Sequence, residues 1–203
     1  MYRQYIDTYL AEAKSIIDAL DRTEIEKMIH RLRRVRDKRG RLFILGVGGG
    51  AGHASHAVND FRKIAGIEAY TPMDNISEFS ARVNDDGWDS VLSAWLKGSF
   101  LSAKDAVLVF SVGGGNRKKK ISVNIVKGVE YAKAIGATVL GIVGRDGGLT
   151  KKVANACVVV PVVNANTVTP HTESFQAVIW HLIVSHPLFM KQKGKWESVE
   201  KTK

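Results

Sequence analysis

Two pairs of side chains in this chain have the types and spacing to act together. His56 and Asp60 are four residues apart in Gly52-His-Ala-Ser-His-Ala-Val-Asn-Asp60, so on a helix they project from one face, one turn apart. Glu173 and His181 are eight residues apart, about two helical turns, and are read as sharing a face. Two imidazoles and two carboxylates carried by separate helices form a sensible donor set for a divalent ion such as zinc, with metal ligands His56, Asp60, Glu173 and His181. Histidine titrates near neutral pH, so the same residues suit proton transfer. His53, three residues before His56, lies near the same face. Either pair alone is also what an ordinary solvated His–acid pair looks like. The weight comes from the segments that would place them.

Two strand-like runs each empty into a glycine-rich loop and then a helix: Arg41-Leu-Phe-Ile-Leu-Gly-Val-Gly-Gly-Gly50 and Ala106-Val-Leu-Val-Phe-Ser-Val-Gly-Gly-Gly-Asn116. Outward-pointing backbone N–H groups at a strand's carboxyl end, backed by a helix N-terminus, suit phosphate or sugar oxygens. Two such loops in one small domain predict one ligand held between two strand ends. The expected contacts are Gly48, Gly49 and Gly50 from the first loop and Ser111, Gly113, Gly114, Asn116 and Ser122 from the second. Lys118, Lys119 and Lys120 are added as cationic donors. The alternative is that the glycines merely permit tight turns.

The rest of the chain supplies an alternating scaffold. Residues 2–20 place Tyr5, Ile6, Tyr9, Leu10, Ala13, Ile16, Ile17 and Leu20 at helical spacing, and Thr23 with Glu26 reads as a capping box for a second helix to about Arg36. Strands are then expected at Leu42–Leu45, Ile67–Tyr70, Ala106–Phe110, Thr138–Val143 and Ala156–Pro161. Helices are expected at Gly52–Ile64, Ile76–Arg82, Asp89–Leu96, Val123–Ile135, Leu149–Ala154 and Thr172–Val184. Near-continuous Val/Ile/Leu strands between helices indicate a parallel sheet covered on both faces, whose ligands lie at the carboxyl ends of the strands. The apolar stripe of the N-terminal hairpin, with no strand beside it, is expected to pack against another subunit.

Composition narrows the classes. At 203 residues and 45% hydrophobic content one domain is expected, over residues 1–188, followed by a basic, frayed tail at 189–203. The net charge of +10 lies largely in Arg31, Arg33, Arg34, Arg36, Lys38, Arg39, Arg41 and the tail, read as solvated surface and not as a nucleic-acid groove. Cys157, the single cysteine, sits in an apolar run and reads as a small core residue in a reducing compartment. No charged-then-apolar leader and no run of about 20 apolar residues is seen, which predicts a cytoplasmic protein without a membrane span. Gly46-Val-Gly48-Gly-Gly-Ala51 fits a loose dinucleotide fingerprint, with Glu68 near the position of a ribose-binding acid. Helices open the chain, however, and the second glycine loop has no part in such a site, so no nucleotide cofactor is expected.

On these motifs the chain resembles the sugar-isomerase (SIS) phosphosugar-binding domains, and within them the phosphoheptose isomerases, which convert sedoheptulose 7-phosphate to a heptose 7-phosphate. The resemblance rests on Gly46-Val-Gly-Gly-Gly50, on His56 with Asp60, on Asn84-Asp85 within Val83–Trp88, on Gly144-Arg-Asp-Gly-Gly148, and on Glu173 with His181 at the spacing of the family's Gln and His. It implies an α/β fold: a three-layer αβα sandwich with a five-stranded parallel sheet and an N-terminal helical hairpin. It also implies a homotetramer acting on a phosphorylated sugar, with Asn84 and Asp85 among the substrate contacts. The implied chemistry is metal-assisted aldose–ketose isomerisation through an enediolate, with catalytic residues His181 as general base and Asp60 or Glu173 moving the hydroxyl proton. Gly50 stands where the family has serine, Asp60 where it has glutamate, and Arg117–Lys120 is an insertion. A second alignment places Trp180, not His181, at the catalytic position. The alternative function is a noncatalytic SIS-fold regulator that binds a phosphosugar or a protein, such as a replication-initiator-binding protein.

Overall fold

The computed structural model describes residues 2–199. Its helices are α1 (Tyr2–Ala19), α2 (Arg22–Asp37), α3 (Gly49–Lys63), α4 (Ile76–Asp86), α5 (Val91–Gly98), α6 (Val123–Ile135), α7 (Gly148–Val153), α8 (Val168–Ser185) and α9 (Lys195–Ser198). The strands are β1 (Leu42–Gly46), β2 (Ala69–Tyr70), β3 (Ala106–Ser111), β4 (Thr138–Val143) and β5 (Ala156–Val159). They form one five-stranded, all-parallel sheet in the order β2-β1-β3-β4-β5.

The two-residue period of a strand divides its side chains between two cores. Leu42, Ile44, Leu108, Phe110, Leu140 and Ile142 face α2, α3 and α8 on one side. Phe43, Leu45, Val107, Val109 and Val139 face α5 and α6 on the other. Both sets are buried, which is why the strands read as continuous apolar runs. The amino ends of β1 and β3 are tied by Asp105, which accepts from the Arg41 backbone N–H at 2.8 Å, from Arg41 Nη2 at 2.9 Å and from the Ser102 N–H at 2.8 Å. Burial pushes this carboxyl's pKa up, but the Arg41 and Ser102 hydrogen bonds together outweigh it and hold the group below its ordinary range. With the amino ends fixed, Gly46 and Phe110 come into register at the carboxyl edge, and both glycine loops start level with each other.

Several boundaries differ from those expected. The cap of α2 is Asp21, accepting from the Glu24 N–H at 3.1 Å, and not the Thr23–Glu26 box, because the helix starts one residue before Thr23. β2 keeps only Ala69–Tyr70, and α8 starts at Val168, with Pro170 tolerated in its first turn. α2 docks on the body through Ile25, Met28, Ile29, Leu32 and Val35, whereas Ile16 is the buried residue of α1, which leaves Tyr5, Ile6, Leu10 and Ile17 exposed. Beyond α8, Phe189 is fully buried, and the Lys191 and Gln192 N–H groups both donate to the Ile64 carbonyl, at 2.8 and 3.1 Å. The start of the basic segment is thus fastened to the end of α3, while residues 200–203 of the expected tail lie outside the described residues. Cys157 is buried, and desolvation pushes its thiol pKa up to about 12, as expected of an inert core residue. Among the described residues no helix is long and apolar enough to cross a membrane.

Candidate active site

α3 and α8 both start at the carboxyl edge of the sheet and lie side by side on one face of it. Their seam carries the closest grouping of reactive side chains. Asp60 is buried, and its Oδ2 lies 3.4 Å from His56 Nε2 and 3.2 Å from His181 Nε2. Trp180 Nε1–H donates to the same oxygen at 3.1 Å, and Asn59 Nδ2 donates to Oδ1 at 3.1 Å. The carboxylate is therefore aimed by two neutral donors, while the imidazoles, their side chains 56% and 49% exposed, face solvent. Trp180 is buried and packs on Phe110 of β3 with ring centroids 5.6 Å apart. Trp180 thus forms the floor and His181 points outward, and both side chains reach Asp60.

The tautomer of His181 follows from its partner. Nδ1 lies 2.8 Å from the Ala177 carbonyl, which can only accept, so Nδ1 carries the proton. In the neutral ring the Nε2 lone pair then faces the Asp60 carboxylate, an arrangement that calls for a cation between them, either a proton or a metal ion. One ligand atom each from His56, Asp60 and His181 lies within 4.8 Å of the others, and the carboxylate and ring orientations are already fixed by outer partners. Two imidazoles and one carboxylate with an open outer side fit a divalent ion that keeps positions free for oxygen ligands.

A cavity of about 700 Å³ opens at the carboxyl ends of β1 and β3, where the strand order reverses direction. Open parallel sheets place ligands at this switch point. Gly50, Ser111, Gly113, Asn116, Lys119 and Ser122 line it, so residues from both glycine loops meet there. Glu173 also lines it. Its carboxylate sits over the first turn of α3, so close that a Cβ on Gly49 would lie 2.5 Å from Glu173 Cδ. Glu173 is therefore not part of the His56–Asp60–His181 group, although the sequence spacing placed it there. Between the two, His53 Nδ1 and Gln176 Oε1 are 3.0 Å apart, and Gln176 reaches the cavity. The polar groups form a ladder down the seam, from Glu173 through Gln176 and His53 to the Asp60 cluster.

Other expected contacts lie elsewhere. Gly48, Gly49, Gly114, Lys118 and Lys120 are not in the cavity lining, and neither are Asn84 and Asp85, which hydrogen-bond to each other at the end of α4. Residues 116–121 close into a small hairpin through paired Asn116 and Ile121 hydrogen bonds, which turns Lys119 inward, while Arg117 pairs with Glu130 of α6. Gly114 serves backbone packing: its φ is +66°, and a Cβ there would lie 2.0 Å from the Gly147 carbonyl oxygen. Its own carbonyl accepts from the Thr150 N–H at 3.0 Å and hydroxyl at 2.8 Å. Sequence reasoning missed Arg145, Asp146, Val162, Ala165 and Gln176 as lining residues. Arg145 and Asp146 belong to the turn after β4, at the same carboxyl edge, and Gln176 is one turn from Glu173, so the edge rule and helical spacing could have found them.

No family model matches the chain. A Streptomyces lincolnensis relative, lincomycin biosynthesis protein LmbN, is 32% identical over 148 residues, 70% of this chain and 54% of that protein, so the chain spans about half of that relative's length. A probable phosphoheptose isomerase of Thermoplasma volcanium is 29% identical over 160 residues, 76% of this chain and 78% of that protein. Among solved structures, phosphoheptose isomerase GmhA of Neisseria gonorrhoeae superposes with a TM-score of 0.78 at 18% identity, covering 91% of this chain and 98% of that one. The parallel five-stranded sheet and the superposition agree on the fold: the chain has the sugar-isomerase (SIS) fold, and in sequence it is similar to phosphoheptose isomerases.

Proposed function

We propose that the protein is a sugar-phosphate aldose–ketose isomerase, with sedoheptulose 7-phosphate and its heptose 7-phosphate isomer as the substrate pair, acting as a homotetramer in the cytoplasm. The observation that carries this reading is the buried Asp60 flanked by two imidazole Nε2 atoms, at the foot of a polar ladder leading down from the glycine-loop cavity. Moving a proton between adjacent carbons needs a base, an acid and stabilisation of the developing oxyanion. His181 Nε2 takes the carbon-bound proton, and Asp60 balances the imidazolium that results. The phosphate is the binding handle, held by Ser111, Ser122, Lys119 and the loop amides. Glu173 and His181 lie about 12 Å apart along the α8 axis at 1.5 Å per residue, so Glu173 stands at the phosphate end and Asp60, beside His181, moves the hydroxyl proton.

His56, Asp60 and His181 would hold a divalent ion such as zinc, which when bound supplies Lewis-acid polarisation of the carbonyl. Because Nδ1 of His181 is tied to Ala177, Nε2 serves either as ligand or as base. In the loaded protein His181 would therefore be a ligand and not the base. The test is turnover on a panel of ketose and aldose phosphates, metal-free and with added zinc. Conversion of the seven-carbon pair is the expected result. Sugar-phosphate binding without turnover in either state would replace the enzyme reading with the noncatalytic regulator.

A further inference from the structure

The outer wall of the cavity is the irregular segment between β5 and α8, which contributes Val162 and Ala165, together with Val168 at the start of α8. Within the segment the Thr167 N–H donates to the Asn164 carbonyl at 3.2 Å, and the Asn166 N–H donates to Asn164 Oδ1 at 2.9 Å. The tie from outside comes from α1. Glu12 Oε1 accepts from Asn164 Nδ2 at 2.6 Å, and Oε2 accepts from Thr167 Oγ1 at 2.8 Å and meets His171 Nε2 at 2.8 Å. The Tyr9 ring stacks on His171 with centroids 4.2 Å apart. Glu12 and His171 side chains are only 12% and 4% exposed. Three donors thus converge on one glutamate of a helix that also docks through the buried Ile16, with Ala13 and Leu20 packed beside it, and through Tyr9 on His171. Hydrogen bonds to an ionised carboxylate are stronger and more directional than neutral ones. All three donors belong to the cavity wall or to the first turn of α8, which carries Glu173 two residues after His171.

We propose that Glu12 is a positioning residue for substrate binding: it clamps residues 162–168 and the start of α8 in the orientation that encloses the phosphosugar, coupling the docking of α1 to ligand affinity. The identity of the ligand rests on the function proposed above. Without Glu12, Asn164, Thr167 and His171 can turn to water and the wall samples open forms. Binding must then reorder it, which weakens affinity in proportion to the fraction still closed. The Asp60 cluster lies towards the other end of α8 and keeps its geometry, so the chemical step is spared.

The experiment compares Glu12→Ala with Ile16→Ala in the full chain. Ile16→Ala loosens α1 by deleting its buried apolar contact and touches no cavity residue. Glu12→Ala is expected to raise KM for sedoheptulose 7-phosphate about tenfold with kcat within about threefold, and to speed amide hydrogen exchange across residues 162–168. Glu12→Gln, which keeps an oxygen acceptor for Asn164 or Thr167, recovers part of both effects. Ile16→Ala lowers the melting temperature at least as much and leaves KM and that exchange unchanged. Wild-type exchange in Glu12→Ala, or an equal effect from Ile16→Ala, overturns the proposal. If the unmodified protein turns over no sugar phosphate, the function reading fails, and the exchange comparison still decides the role of Glu12.

Discussion

The seam between α3 and α8 and the cavity at the carboxyl edge of β1 and β3 are built in different ways. In the seam, the reactive side chains stand on helices, and Asp60 has four polar neighbours within 3.4 Å, so its position is over-determined. The cavity is walled by loops, and among the described residues its two cationic side chains, Lys119 and Arg145, have no carboxylate within ion-pair distance. Rigid elements suit groups that must be placed within fractions of an ångström for chemistry, and loops suit groups that close on a ligand. The contrast predicts that changes in the seam act on kcat or on metal affinity and that changes in the cavity act on KM.

The largest effect should come from His181→Ala, which removes the proposed base while leaving the cavity intact. Its kcat is expected to fall by about 10²–10⁴-fold with KM within about threefold, measured by steady-state kinetics on the heptose pair. A KM rise of the same size as the kcat loss would erase the distinction between the regions. Next, Trp180→Phe deletes the neutral donor that aims Asp60, and zinc affinity measured by calorimetry should fall about 10–100-fold, as for other outer-shell partners. Unchanged zinc binding in the folded variant would show that Asp60 does not depend on its neighbours. Lys119→Ala should raise KM about tenfold through loss of one charged phosphate contact, with kcat unaltered. Lys118→Ala, outside the lining, should match the parent, and equal effects from the two lysines would mean that the hairpin acts as a diffuse charge. The smallest effect is expected for Gly52→Ala. A Cβ there meets nothing within 4 Å, so replacing glycine inside α3 should stabilise the fold by about 0.5–1 kcal/mol by thermal or denaturant unfolding, with kinetics unchanged. A change in kcat would show that the seam needs flexibility in α3.

His56 and Asp60 were legible as a pair because four residues on a helix leave little choice: one turn separates them, and both meet the same neighbour. The period-two burial of β1, β3 and β4 was equally legible, since a strand surrounded by helices has to be apolar on both faces. The pairing of Glu173 with His181 was not. At 3.6 residues per turn, eight residues rotate the helix by about 80° beyond two full turns, while seven bring Trp180 within about 20° of Glu173. Spacing alone therefore left open which of Trp180 and His181 would face the seam. Packing decided it: the indole is buried against Phe110 and still finds Asp60 for its N–H, leaving the imidazole to solvent.

The glycine loops divide along the same line. That both loops lie at the carboxyl edge follows from strand order and polarity, which the alternation of apolar strands and helices already contained. Which glycines leave backbone open to a ligand, and which clear space for another stretch of backbone, is set by what lies opposite. Gly114 faces the Gly147 carbonyl, a residue 33 positions later in the chain, and Gly49 faces the carboxylate of Glu173. Local sequence determines the conformations a segment can adopt. Only the packed sheet and its helices bring distant segments within contact, so only the tertiary structure could separate Glu173 from the His56–Asp60–His181 group and seat Glu12 against the cavity wall.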